Sequence, residues 1–195
     1  MYIIRMFKNK KREKMRIAVS LPRLSYDNVL AEKLISATKF ISKELMSFKK
    51  LSRLKLKINV RTTTLGTKTL GQVKNDEKLY APKEFKIELN SNQSISEMIS
   101  TLAHELVHVE QTVSNRLVYK FDKDVNKLLV NWEGKNLGEV SQIPYRERPW
   151  EVEAFSKEEI LADMFLIPNF TKFKREELKK LNNKEKKWDK KKLTQ

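Results

Sequence analysis

Hydrophobic residues recur at intervals of three and four over residues 27–48. This spacing places them on one face of an α-helix, for which Ser25 or Asp27 is the expected N-cap. Two later segments, 54–60 and 85–89, alternate strictly between apolar and polar residues. Strict alternation is the pattern of a β-strand with one buried face, so both segments are predicted to be strands.

Local signals predict two further helices in the second half of the chain. Ser94 and Glu97 form the pattern of a capping box, so a helix is expected over residues 95–113. Pro149 suits the first position of another helix, because its missing N–H would have no partner there. We expect this second helix over residues 149–166.

The remaining segments are less regular. Residues 62–80 show no clear period, so a loop or an irregular hairpin is expected there. Residues 128–132 have the composition of a strand, and residues 133–135 have that of the turn that follows it.

The net charge of +16 is distributed unevenly along the 195 residues. Residues 1–20 carry a net charge of +6 and residues 171–195 carry +7, which leaves +3 for everything between them. We therefore predict a basic N-terminal arm over residues 1–24, a folded domain over residues 25–170 and a Lys-rich C-terminal tail over residues 171–195.

Basic termini of this kind are typical of non-specific contact with DNA or RNA, made through the phosphates and sensitive to salt. The alternative is that they are solvated tails without a partner. The candidate nucleic-acid contacts are Lys10, Lys11, Arg12, Lys190, Lys191 and Lys192.

Composition excludes several classes of protein. The chain has no cysteine, which excludes disulfide scaffolds, zinc ribbons and thiol nucleophiles. No stretch approaches about 18 consecutive apolar residues, so neither a membrane span nor a membrane partner is expected. The first residues lack the apolar segment of a signal peptide. We therefore expect a cytoplasmic, intracellular protein.

The chain has only two histidines, and both belong to one motif, His104-Glu105-Leu-Val-His108, within a predicted helix. Residues four apart on a helix lie one above the other, so both imidazoles can bind one zinc ion. Glu105 then lies beside the metal, where it can act as general base toward a zinc-bound water. At about 100° per residue, both histidines point away from the apolar stripe that contains Leu102, and Gln111 shares their face.

A catalytic zinc site needs a third protein ligand and an open position for water. With no further histidine and no cysteine, that ligand must be an aspartate or a glutamate. The best candidates are Glu151 and Glu153, in the first turns of the helix predicted over residues 149–166. The two lie about 200° apart on a helix, so only one of them can face the metal.

The sequences HELVHVEQ (residues 104–111) and PWEVEA (residues 149–154) resemble those of the gluzincins, the zinc metallopeptidases with an HExxH motif and a glutamate ligand. The closest resemblance is to SprT-like and phage-type members, and it covers about residues 54–166. It implies a zincin-like α+β fold, in which a small twisted sheet packs on the HExxH helix and a second helix supplies the glutamate. It also implies a Zn²⁺ cofactor, a protein or peptide substrate and, among intracellular settings, the host cell of a virus or phage.

The resemblance favours Glu151 as the third ligand, with Glu153 as the alternate. In related families a small residue commonly follows the ligand glutamate after three positions, as Ala154 does here. Many gluzincins also place an aspartate four residues after the ligand, where it orients a zinc-bound histidine. This chain has Phe155 at that position, so an orienting group must come from elsewhere or be absent. The additional histidine ligand or zinc ribbon of many SprT-like proteins has no counterpart.

The expected reaction is hydrolysis of a peptide bond by a zinc-activated water, with Glu105 as the general base. The oxyanion that forms needs a second donor beside the metal, for which Tyr145 is the first candidate. The other candidates for this donor are Arg146, Arg148 and Tyr119.

Three alternatives remain open. The strand at residues 85–89 is expected either at the edge of the cleft, where it would pair with an extended peptide, or in the interior of the sheet. The protein as a whole is either an enzyme or a zincin-fold binding protein without turnover, and the retained Glu105 favours the enzyme. A nucleic-acid-associated protein that acts through its basic tails is the third possibility.

Overall fold

A five-stranded sheet, a three-stranded sheet and five helices form a mixed α+β fold in the part of the chain that the structure describes. The structure is a computed structural model, and it describes residues 3–5, 15–21, 28–61, 70–75, 82–123, 125–167 and 174–183. The strands are β1 (Ile3–Arg5), β2 (Arg16–Ser20), β3 (Lys55–Arg61), β4 (Gly71–Asn75), β5 (Glu84–Asn90), β6 (Leu117–Asp122), β7 (Lys127–Trp132) and β8 (Lys135–Glu139). The helices are α1 (Asn28–Leu45), α2 (Phe48–Leu51), α3 (Ile95–Val113), α4 (Pro149–Leu166) and α5 (174–183), with 3₁₀ turns at Val140–Gln142 and Tyr145–Glu147.

The main sheet has the strand order β1-β2-β3-β5-β4. Strands β2, β3 and β5 are parallel, whereas β1 and β4 lie antiparallel at the two edges. Leu56, Ile58 and Val60 of β3 are buried, and the residues between them are exposed or half-buried. Helices α1 and α3 contribute to the core on the buried face, as the alternating pattern of β3 predicts.

The predicted helices and strands with clear local signals are confirmed. Helix α3 occupies the predicted span, and the Ser94 hydroxyl and Glu97 carboxylate form both hydrogen bonds of the capping box. Helix α4 begins at Pro149 as expected. Strand β5 is an interior strand, which settles the open alternative, and the edge position next to it belongs to β4. The loop or irregular hairpin expected over residues 62–80 therefore contains a sheet strand.

The predicted N-terminal arm requires a correction. Strands β1 and β2 belong to the main sheet, and β2 pairs in parallel with β3. Val19 of β2 is buried in the core, which anchors this part of the chain. The domain thus begins well before residue 25, because a hydrophobic strand follows the basic segment. The candidate contacts Lys10, Lys11 and Arg12 lie outside the described residues.

The predicted C-terminal tail also begins within the fold. Helix α5 places Leu178 in the hydrophobic core, and Arg175 forms an ion pair with Glu44 of α1. Leu178 and Leu181 of α5 are therefore core contacts. The candidate contacts Lys190, Lys191 and Lys192 lie beyond the described residues.

Helices α3 and α4 pack against each other and position the candidate site. Trp150 at the start of α4 is fully buried and joins Leu117 and Val130 of the three-stranded sheet in a second hydrophobic cluster. This cluster fixes the first turn of α4 beside the C-terminal half of α3. Across the described residues, no helix has both the length and the apolar character that a membrane crossing requires.

Candidate metal centre

The two histidines and Glu151 meet between α3 and α4. His104 Nε2 lies 3.1 Å from His108 Nε2. Glu151 Oε2 lies 3.3 Å from the Nε2 atom of His104 and 3.4 Å from that of His108. All three residues are buried, with 7% exposure each. This group could hold a metal ion.

The second nitrogen of each imidazole has its own acceptor. His104 Nδ1 lies 2.6 Å from Glu158 Oε2, and His108 Nδ1 lies 2.8 Å from Gln111 Oε1. Because carboxylate and amide oxygens accept hydrogen bonds, we assign the proton of each neutral ring to Nδ1. In this neutral form, the one that binds a metal ion, each Nε2 would direct its lone pair toward the other Nε2 and toward Glu151.

The triangle of ligand atoms has the dimensions of a tetrahedral zinc site. Zinc bonds to imidazole nitrogen and carboxylate oxygen are about 2.0–2.1 Å long, so two ligand atoms of one tetrahedron lie about 3.3–3.4 Å apart. The three distances here are 3.1, 3.3 and 3.4 Å. Three atoms with lone pairs so close together repel one another unless a cation or a proton lies among them. The donor set and its spacing therefore fit a bound metal ion.

The electrostatics of the group favour a positive charge among the three ligand atoms. Burial lowers the pKa of His104, but the hydrogen bonds from its ring to Glu151 and Glu158 outweigh burial and raise the pKa to about 9. Burial raises the pKa of Glu151, but its contacts with His104 and His108 lower it well below the usual range. A negative carboxylate is thus held beside two imidazoles, and positive charge at this point is stabilised.

Glu105 lies on the other side of the motif, next to the edge strand β4. It is buried, with 5% exposure, and burial raises the pKa of its carboxyl group. The backbone N–H of Val73 in β4 donates a hydrogen bond to the carboxylate and partly opposes that rise. The Val73 N–H thus orients the Glu105 carboxylate, and burial raises its pKa, as suits a general base.

Gly71 of β4 lies unusually close to this part of α3. A Cβ atom at position 71 would lie 2.5 Å from Thr101 Cγ2 and 3.1 Å from Glu105 Oε1. The first distance is shorter than any tolerated contact, so a side chain here would push β4 away from α3. Glycine is therefore required by the close approach that brings Val73 to Glu105.

Replacing Gly71 with alanine should lower the free energy of unfolding by about 1–3 kcal/mol, the usual cost of overpacking. The measurement is urea denaturation of Gly71→Ala, Thr101→Ser and the double variant. Thr101→Ser removes the methyl group but keeps the hydroxyl that donates to Gln93 Oε1. The double variant should recover most of the loss. Equal instability of the Gly71→Ala and double variants would contradict this explanation.

Glu153 faces away from the histidines, into a network of charges. Its carboxylate accepts two hydrogen bonds from Arg116, of 2.9 and 2.6 Å, and forms an ion pair with Lys157. Burial raises the pKa of Glu153, but Arg116 and Lys157 lower it overall. Gln111 Nε2 also donates to Glu153 Oε2, at 3.1 Å. Glu151 and Glu153 are the two candidates for the third ligand. Glu151 lies beside the histidines, whereas Glu153 binds Arg116 and Lys157.

The candidate oxyanion donors occupy different environments. Tyr145, Tyr119 and Arg146 line the open cleft in front of the histidines. The Tyr145 hydroxyl donates to Glu151; burial and the charge of Glu151 raise the pKa of Tyr145. Burial raises the pKa of Tyr119 to about 12. Both phenols therefore keep their proton at neutral pH.

The remaining candidate, Arg148, donates hydrogen bonds to two backbone carbonyls of the preceding turn, those of Ile143 and Val140.

Glu158 is a site residue that the motif comparison does not find. It follows Glu151 by seven residues, or two helical turns, so the two share one face of α4. Four residues after Glu151 lies Phe155, whose ring packs against the His104 ring with centroids 4.8 Å apart. Glu158 lies one turn beyond Phe155 and makes the contact with His104 Nδ1 for which the resemblance suggests an aspartate at position 155. A helical-face analysis of α4 would have suggested it.

No protein-family model, curated protein or solved structure matches this chain. The resemblance to the gluzincins therefore stays a prediction that rests on the residues of the two segments. What the structure adds is the arrangement of those residues in space.

Proposed function

We propose that the protein is a zinc-dependent metallopeptidase with a zincin-like fold. His104, His108 and Glu151 would hold the ion, and Glu105 would be the general base. The observation that supports this most strongly is the triangle of Nε2, Nε2 and Oε2 atoms, whose edges match those of a zinc tetrahedron. Catalytic zinc sites have three protein ligands and a free position, and this donor set is of that kind.

When bound, zinc would lower the pKa of a water molecule toward neutrality and polarise the scissile carbonyl. Glu105 would accept the proton of that water and later deliver it to the leaving amine. Its buried position and raised pKa suit a group that must both accept and release a proton. Glu158 and Gln111 would hold the two imidazoles in the orientation and tautomer that ligation requires.

The cleft around the site suits an extended chain. Its lining includes residues Gly71 to Lys74 of the edge strand β4 and the aromatic rings of Tyr119, Tyr145 and Phe155. An edge strand can pair with a peptide backbone, and an aromatic wall can contact an apolar side chain. A protein or peptide substrate fits both features.

The test is zinc binding together with peptide cleavage by the full-length chain. We expect one zinc per chain, cleavage of casein or of a mixed peptide pool, loss of cleavage after chelation and recovery on adding zinc. Zinc-loaded protein that cleaves no peptide would favour the alternative of a binding protein without turnover. Protein that binds no zinc at all would contradict the proposed centre.

Removing the Tyr145 hydroxyl should lower kcat by about 10²–10³, the usual effect of losing one oxyanion donor. The phenol keeps its proton and already lies beside Glu151, so it is well placed to donate in the cleft. The measurement is kcat and KM for Tyr145→Phe, with Tyr119→Phe as the matched control. A larger loss for Tyr119→Phe would transfer the role to Tyr119.

A further inference from the structure

The main sheet has one face that none of the described helices covers. We call it the outer sheet face; it consists of the residues of β2, β3, β4 and β5 that alternate with the buried ones. Apart from Ala18, every position on it is polar or charged. Its six basic residues are Arg16, Lys55, Lys57, Arg61, Lys74 and Lys86, against which stand only Glu84 and Glu88. This face therefore has a net charge of +4.

Three lysines form a row across this face. Lys57 of β3 is in register with Lys86 of β5, which is in register with Lys74 of β4. Neighbouring strands lie about 4.8 Å apart, so the row is about 10 Å long. Like charges directly opposite one another destabilise a sheet. The row thus places three positive charges together at a cost to the fold, and an anionic partner would remove that cost.

Glu88 holds part of this cluster in place without neutralising it. The carboxylate is buried, and it contacts Lys86 at 2.7 Å, Lys74 at 3.1 Å and Arg61 at 3.3 Å. Burial raises the pKa of Glu88, but hydrogen bonds from Lys86, Lys74 and Gln72 lower it to about 2. One negative charge is shared by three cations, so an excess of positive charge remains. The side chains of Lys74, Arg61 and Lys86 are 57%, 40% and 39% exposed, respectively.

We propose that the outer sheet face binds the phosphate backbone of nucleic acid without reading its sequence. The cations are spread over four strands, which fits a repeating anion better than a single phosphate. A DNA duplex offers one negative charge per about 1.7 Å of its axis. A membrane surface or a protein interface would be expected to contact apolar or aromatic side chains as well, and strands β2 to β5 place none larger than Ala18 on this face. Without aromatic rings it has no platform for stacked bases, so contact is limited to phosphates.

The probe is a fluorescent duplex DNA of about 20 base pairs, bound by the full-length chain and followed by anisotropy at about 50 and 200 mM salt. The test variant combines Arg16→Gln, Lys55→Gln and Lys57→Gln, three exposed positions on the outer sheet face that lie outside the cleft. The control variant combines Lys39→Gln, Lys43→Gln and Lys49→Gln, three exposed positions on α1 and α2. Each variant loses three positive charges. A difference in binding between them therefore depends on where the charges lie and not on the net charge of the chain.

The test variant should bind at least about tenfold more weakly than wild type at the lower salt concentration, and the slope of log K against log salt should fall by about 2–3. The control variant should stay within about threefold of wild type. Equal losses in both variants would assign binding to overall charge and overturn the proposal, as would binding to phosphatidylserine vesicles without binding to DNA. Both variants should keep wild-type zinc content, so this result is independent of the proposed peptidase activity.

Discussion

Replacing Glu105 with glutamine should reduce peptide hydrolysis by about 10²–10⁴-fold while leaving zinc bound, since general-base catalysis contributes a factor of this size. Glutamine has nearly the same shape but cannot accept the proton of the attacking water. The carboxylate is not part of the ligand triangle, so its loss should leave the zinc stoichiometry unchanged. The measurements are kcat/KM on a cleavable peptide and zinc content after dialysis.

The matched control is Glu159→Gln, which makes the same chemical change at an exposed position of α4. Its activity should equal that of wild type. An active Glu105→Gln variant would remove the proposed base and leave the zinc centre without its catalytic partner. A variant that loses zinc would instead indicate that Glu105 supports the ligands, since its carboxylate lies in the field of both histidines.

The sequence predicts the parts of the site that depend on local structure. The span of α3 follows from its capping box and that of α4 from Pro149, and both histidines share a face because they are four residues apart. The choice between Glu151 and Glu153 cannot be made this way. It depends on Arg116, which lies 37 residues away from Glu153 in sequence and binds it from the turn between α3 and β6.

The least predictable part of the fold is the sheet. Strand β2 pairs with β3 although α1 and α2 separate the two strands in sequence. Strand β4 is a short edge strand that begins with glycine. Neither has a long alternating pattern, because pairing partners and the packing of α3 decide their structure. The interior strands β3 and β5 are predictable since each buries one full face. The contact of β4 with Glu105 therefore becomes apparent only in three dimensions.

The pair Glu151→Gln and Glu153→Gln should separate metal binding from stability. The two residues differ by two positions on one helix and are both buried, but their partners differ completely. Glu151→Gln should weaken zinc binding by more than about 100-fold, because loss of a ligand charge exceeds the 10–100-fold effect of losing an outer partner. Its metal-free form should lose less stability than that of Glu153→Gln, since Glu158 still binds Nδ1 of His104 and Gln111 still binds Nδ1 of His108.

Glu153→Gln should instead lower the free energy of unfolding by about 3–5 kcal/mol, because it leaves Arg116 and Lys157 without their shared carboxylate. Each folded chain should still bind one zinc. Urea denaturation of the metal-free proteins and zinc titration of the folded ones measure the two effects separately. If Glu153→Gln abolished zinc binding and Glu151→Gln preserved it, the two residues would exchange roles, and the triangle of ligand atoms would not describe the metal-bound protein.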